Sequence, residues 1–383
     1  MLSFRELVAL LRRSRRMSRH RRRQFVELLL SVVERPLVPD TRLDLDSMND
    51  ADAILHFRFD VASLTRLSRA LQLPAVVITE SRDRCLAVEA LCVALNRLAY
   101  PRRYCDMMIM FGRSRESMCR IHNYVLDALY DTWADVLFFQ QTLVAKRLQK
   151  YKDAIVAKGS PLTNVFGFID GSKIETCRIT QRRKHRDDGD VELIIYPDMQ
   201  RVIYSGHKRR HCLNFQAVTA PDGLCIHFWG PLEGSRHDTT LLRESKLLEH
   251  LDAHEAVYAG SQIYGDPAYG LLKWVSSGYK CARISDREKA FNSSMSKVRQ
   301  SVEWTFGITK TLWAFIKFKD QQKIMLSSVG KAVSVAVFLA NCHCCIYRGN
   351  QISSFFNLAP PSLEEYLSLS VKNTGAIQRD LSH

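Results

Sequence analysis

The apolar pattern of this chain changes period at Lys158-Gly159-Ser160-Pro161, and that break restricts the fold more than any other feature. Upstream the spacing is helical. Leu64, Leu67 and Leu71 recur at helical intervals, and CLAVEALCVALNRLA places Leu91, Leu95 and Leu98 on one face. In FGRSRESMCRIHNYVLDALYD, Gly112 can make a tight turn and Ser114 can cap a helix whose buried stripe is Met118, Ile121, Val125 and Leu129. Downstream the runs are short and strand-like. VFGFID is expected to be a strand ending in Asp170, and CLNFQAVTA and LCIHFWGP are two more, joined at Pro221-Asp222-Gly223. TLLRESKLLEHLDAH is expected as a helix and SQIYGD as a strand, with Pro267 opening a further helix. SSMSKVRQSVEWTFGITKTLW and KAVSVAVFLANCHCCIYRG complete the order as helices. Strand, hairpin, helix, strand and helix imply an α/β layered domain. The expected division is a basic arm at 1–40, an all-helical region at 41–158, the α/β domain at 159–347 and a polar tail at 348–383.

Charge narrows the partner. The net charge of +15 over 383 residues, with a pI near 9.4, points to a polyanion. Nucleic acid is favoured over a membrane because the longest apolar run, Val333 to Ala340, is too short to span a bilayer. Eleven scattered cysteines, with no apolar signal core in LLRRSRRMSRHRRR, favour reduced thiols in the nucleus or cytoplasm. Nine arginines lie between Arg5 and Arg23. They suit a DNA-contacting arm or a nuclear import signal; the helical spacing of Leu7, Leu10 and Leu11 also suits a solvated helix face. Around Gly112, a helix, a turn and a second helix with Arg113, Arg115, Ser117 and Arg120 on its exposed start suit a DNA-binding helix-turn-helix; a plain helical hairpin has the same pattern. In HKRRH, His207, Lys208, Arg209 and Arg210 suit contacts to DNA phosphates, and a solvated hairpin entrance is the alternative. CHCC at 342–345 lacks a second ligand pair and reads as small core residues of a helix. No nucleophile elbow and no glycine-rich phosphate loop occur.

Four acids stand at marked places. Asp170 precedes Gly171, Asp238 follows His237 at a helix start, and Asp266 precedes Pro267. Glu303 lies among Val302, Trp304 and Phe306 and is expected to face inward. Any one of the aspartates could be an ordinary turn or cap residue. Together they would form a cluster of like charges that needs a cation, and all-oxygen ligation selects Mg²⁺ or Mn²⁺. Two such ions can drive phosphodiester chemistry.

The segments FGFIDGSKI, YSGHKRRHCLNFQAVTAPDG, GPLEGSRHDTTLL, YGDPAYGL and FNSSMSKVRQSVEWTFGITK, in that order, resemble the endonuclease domain of PIF/Harbinger transposases over about 160–345. FGRSRESMCRIHNYVLDAL resembles the helix-turn-helix region that precedes it. The resemblance implies an RNase H-like fold with a mixed sheet flanked by helices. It also implies DDE chemistry with Asp170, Asp266 and Glu303 as catalytic residues, and Asp238 as a further acidic position at the metals. It implies a DNA substrate, a separate Myb-like companion protein and a nuclear location, and leaves a homo-oligomer open. The chain departs from the family pattern at Ser172, where threonine is usual, at Cys177-Arg178-Ile179, where a proline is missing, and over 180–200, a longer segment carrying Asp187, Asp188 and Asp190. The rival readings are a transposase-derived DNA-binding regulator that does not cut, and an RNase H-like RNA nuclease.

Overall fold

The run VFGFID forms a strand, but the strand does not stop at its aspartate. In the computed structural model β1 spans Val165–Glu175, so Asp170 sits mid-strand. Residues 171–175 continue because β2 (Arg210–Thr219) pairs with β1 antiparallel from Phe168↔Thr219 to Glu175↔Cys212. The structure describes residues 17–32, 38–179, 182–185, 191–194, 197–280 and 284–367, with Leu10, Arg12 and Ser14. Much of the arginine-rich arm, Asp187, Asp188 and Asp190, and the tail beyond residue 367 lie outside the described residues.

The turn at Pro221-Asp222-Gly223 returns the chain as β3 (Cys225–Glu233), antiparallel to β2. On the other flank, β4 (Gln262–Gly265) runs parallel to β1, and β5 (Val275–Ser277) parallel to β4. The order β5-β4-β1-β2, with β3 and the short Tyr204–Ser205 strand both pairing with β2, is a six-stranded mixed sheet, compatible with an RNase H-like domain. Phe166 and Ile169 of β1 face one core, and Val165 and Phe168 face another. The second face is covered by the Asp286–Leu312 helix through Met295, Val298 and Val302, whose three- and four-residue spacing keeps them on one side. The stretch TLLRESKLLEHLDAH is three short helices, Asp238–Glu244, Leu247–Ala253 and Glu255–Tyr258, broken first at Lys246, which has φ 54°. Pro267 opens a single 3₁₀ turn, Pro267–Tyr269.

The helices between Asp50 and Ala157 share one continuous core with the sheet. Trp133 of the Arg115–Phe138 helix stacks on Phe338 of the Val329–Ile346 helix, with ring centroids 5.5 Å apart. Tyr151 donates to Asp222 at 2.7 Å and Arg147 pairs with the same carboxylate at 3.0 Å, so the hairpin-turn aspartate is a fully buried acceptor. Removing Arg147 would leave that charge uncompensated, and removing Tyr151 would cost it a buried hydrogen bond. The Val329–Ile346 helix is long and apolar enough to cross a membrane, which the shorter apolar run did not suggest, but most of it is buried in the core. Cys342, Cys344 and Cys345 are among its buried residues.

Candidate active site

Strand register assembles the acids. Phe168 pairs with Tyr264 across the parallel β1–β4 ladder, and both side chains enter the core under the Asp286–Leu312 helix. Side chains return to the same face every second residue. Asp170 and Asp266, each two positions further on, therefore emerge beside each other on that face. Asp266 lies just past the end of β4 and accepts the Ala268 N–H at 2.8 Å through Oδ1, so it also caps the 3₁₀ turn. The turn role and the site role coexist in one residue.

Asp238 approaches from the first turn of its helix, whose Leu242 packs in the core with Phe166 and Ile169. It comes against Gly171, where a Cβ would stand 2.6 Å from Asp238 Oδ1 and 3.1 Å from its Cγ. Only a residue without a side chain lets this carboxylate so close to β1. Lys173, two residues on, is held by Asn214 Oδ1 at 2.9 Å and the Gly234 carbonyl at 3.0 Å.

The electrostatics show the crowding. Burial pushes the Asp170 carboxyl up to about 6, helped by the charges of Asp238 and Glu303 and opposed by Arg299 and the Gly171 N–H, which donates to Oδ1 at 2.9 Å. Burial likewise raises Asp238, with Asp266 adding to it and Lys173 and His237 opposing. Tyr269 feels all three aspartates: burial first, then their charges, hold its phenol well above the usual range. Its hydroxyl is buried without a hydrogen-bond partner among the described residues.

Glu303 differs from expectation. Its side chain is 53% exposed. Neighbours along a helix point in directions about 100° apart, so flanking by Val302 and Trp304 does not bury it. Arg299, one turn earlier, bonds Glu303 Oε1 at 3.2 Å and reaches toward Asp170 Oδ2 at 3.9 Å. A guanidinium thus bridges the catalytic acids expected from sequence. Arg299, Gly171, Lys173 and Tyr269 were missed by the sequence reading. The four-residue spacing from Arg299 to Glu303 is the one signal that could have flagged any of them.

Asp170, Asp238 and Asp266 suit a hard divalent cation by donor chemistry: oxygen-only, mutually repelling and partly buried. Among the described residues, no three such side chains close around a single point.

The basic candidates divide. His207, Lys208 and Arg209 are exposed on the loop between the Tyr204–Ser205 strand and β2, and Arg210, at its base, pairs with Glu175. Seven residues of β2 separate Arg210 from Ala217, the partner of Asp170, a distance of roughly 23 Å. Near Gly112, whose φ is 54°, Ser114 caps the Arg115–Phe138 helix. The expected exposed start is only partly exposed. Ser117 is buried, and Arg113 forks onto Glu89 at 2.6 and 3.0 Å with both side chains largely buried. Arg120 forks onto Asp83 at the same two distances, while Arg115 stays open to solvent beside Glu116.

No curated protein and no solved structure matches the chain. Residues 190–341, which include Asp238, Asp266 and Glu303 and begin after Asp170, match the family model described as DDE superfamily endonuclease.

Proposed function

We propose that this protein is a metal-dependent DNA endonuclease of the PIF/Harbinger type, cutting phosphodiester bonds with Asp170, Asp266 and Glu303, and with Asp238 as a further metal ligand. The family match supports a DDE superfamily endonuclease. The observation that carries the reading is the convergence of Asp170 on β1, Asp238 at a helix start and Asp266 just past β4, with the charge of Asp238 raising Asp170 and the charge of Asp266 raising Asp238. Divalent ions held there would polarise the phosphate and activate the attacking oxygen. Asp170 and Asp266 would hold them from adjacent strands, and Asp238 from the far side of Gly171. Glu303 would join after Arg299 releases it. DNA would run from the acids toward His207, Lys208, Arg209 and Arg210, with a Myb-like companion sharing recognition of DNA ends in the nucleus. A second reading, a regulator that binds DNA without cutting, draws on the Arg299 bridge, which keeps Glu303 engaged. The test is nicking of duplex DNA and of RNA with and without Mg²⁺, comparing wild type with Asp170→Asn. Mg²⁺-dependent nicks in DNA that vanish in the variant support the nuclease. DNA binding with no nicks supports the regulator, and cleavage of RNA alone removes the DNA assignment.

A further inference from the structure

Away from the acids, the far end of β1 carries a surface of opposite charge. Beyond Glu175 the chain is tied to the stretch that follows the Asp286–Leu312 helix. The Cys177 N–H donates to the Gln322 carbonyl at 2.9 Å, and the Cys177 thiol donates to the Lys319 carbonyl at 3.2 Å. The Thr176 N–H donates to the His211 carbonyl at 2.9 Å, so the base of the His207–Arg210 loop meets the same place. Burial lowers the His211 imidazole, and the charges of Arg178 and then Lys319 lower it further, so both cations lie around it. Arg178, Lys317 and Lys319 are exposed. Thr176 follows Asp170 along the strand by roughly 20 Å, about six base-pair steps of duplex.

Between Lys317 and Lys319 stands Phe318, 41% exposed. Its backbone is fixed between two 3₁₀ turns, Ala314–Lys317 and Lys319–Gln321. Its own N–H donates to the Phe315 carbonyl at 3.1 Å, and its carbonyl accepts the Gln321 N–H at 2.9 Å. Phe315 and Ile316 anchor the first turn in the core. A lone exposed phenyl calls for no explanation. One held in a fixed frame beside cations has a chemistry: an apolar face for a flat ring, with positive charge for phosphates next to it. Of the nearby acids, Glu175 is engaged by Arg210, which leaves Asp320 against the three cations. Duplex DNA keeps its base faces inside the stack and offers edges and phosphates, and phenylalanine has no donor or acceptor with which to read an edge. An unpaired strand offers base faces and phosphates together.

We propose that Phe318, with Arg178, Lys317 and Lys319, binds single-stranded DNA, one base stacking on the ring and the neighbouring phosphates meeting the three cations. The inference rests on the DNA reading given above and names the form of the DNA: an unpaired strand running from the acids along β1 toward the His207–Arg210 loop. Binding of that strand does not depend on cleavage, so it is measured without a divalent metal.

The experiment uses the full chain in EDTA and fluorescence anisotropy, with a labelled oligothymidylate of about 16 nucleotides and a duplex of the same length as separate probes. Phe318→Ala should weaken binding of the single strand by about fivefold to a hundredfold and leave duplex binding unchanged. Phe318→Trp should restore the affinity, and its added indole should be quenched as the single strand binds. Lys319→Ala, an exposed substitution, should lower the slope of log affinity against log salt by about 0.7 on the single strand, and it decides the matter if Phe318→Ala does not fold. Unchanged affinity of folded Phe318→Ala for the single strand overturns the proposal. So do equal losses on strand and duplex, and so does tighter binding of the matching oligouridylate, which would move the surface to RNA. Nicking with no effect at Phe318 overturns this inference alone, and the Phe318 effect without nicking overturns the nuclease reading alone.

Discussion

Asp170→Asn should make the protein more stable at neutral pH while removing its proposed activity. The carboxyl stands at about 6 instead of the ordinary 3.8. A raised acid binds its proton more tightly in the folded state. Stability is therefore fully present below the unfolded value and falls as pH rises through the folded one. Each pH unit between the two values corresponds to about 1.4 kcal/mol, so above that window the ionised form costs on the order of 3 kcal/mol. Asparagine keeps an oxygen to accept the Gly171 N–H and carries no charge. Urea unfolding followed by tryptophan fluorescence should show the variant more stable by up to about 3 kcal/mol near pH 8, shrinking to less than about 1 kcal/mol near pH 4. Millimolar MgCl₂ should stabilise the wild type at pH 8 and leave the variant little changed, because an ion that binds the folded state shifts the equilibrium by mass action. A variant less stable than wild type at pH 8, or a difference that does not change with pH, would refute the assignment of Asp170 as a carboxylate held charged against its burial.

Gly171→Ala would put a methyl 2.6 Å from Asp238 Oδ1. It should cost about 1–3 kcal/mol and abolish nicking, and wild-type behaviour in both assays would mean that Asp238 does not lie against β1. Arg299→Met removes the nearest opposing charge from Asp170, so carboxyl-carbon NMR should find the Asp170 titration moved higher; an unmoved midpoint would show that the bridge is not formed in solution. Arg113→Ala breaks its largely buried pair with Glu89 and should cost on the order of 3 kcal/mol in thermal unfolding, whereas exposed Arg115→Ala should leave stability unchanged. Of these two, only Arg115→Ala should distinguish cognate from scrambled duplex if the helix start reads bases. Replacing His207, Lys208, Arg209 and Arg210 together by alanine should flatten the salt dependence of DNA binding by roughly three phosphate contacts, and an unchanged slope would place the DNA elsewhere.

Local chemistry was legible in the chain. The glycine at 112 and the serine at 114 mark a turn and a cap whatever surrounds them, because both act within a few bonds. The β2–β3 hairpin followed from its turn residues and the apolar runs on either side. The acidic positions stood out as strand-associated aspartates and a helical glutamate. Sequence also carried the break in period at 158–161, since period depends only on which residues are apolar. What needed the tertiary structure was everything set by a neighbour from elsewhere in the chain. The continuation of β1 past Asp170 depends on β2, a distant segment whose Gln216 pairs with Gly171. The fork of Arg113 onto Glu89 and of Arg120 onto Asp83 removes two cations from a face that helical spacing alone leaves open. The exposure of Glu303, and its hold on Arg299, follow from which side of the Asp286–Leu312 helix meets the sheet. Spacing fixes relative directions around a helix axis but not the rotation of that helix against its partner, and only packing supplies that angle.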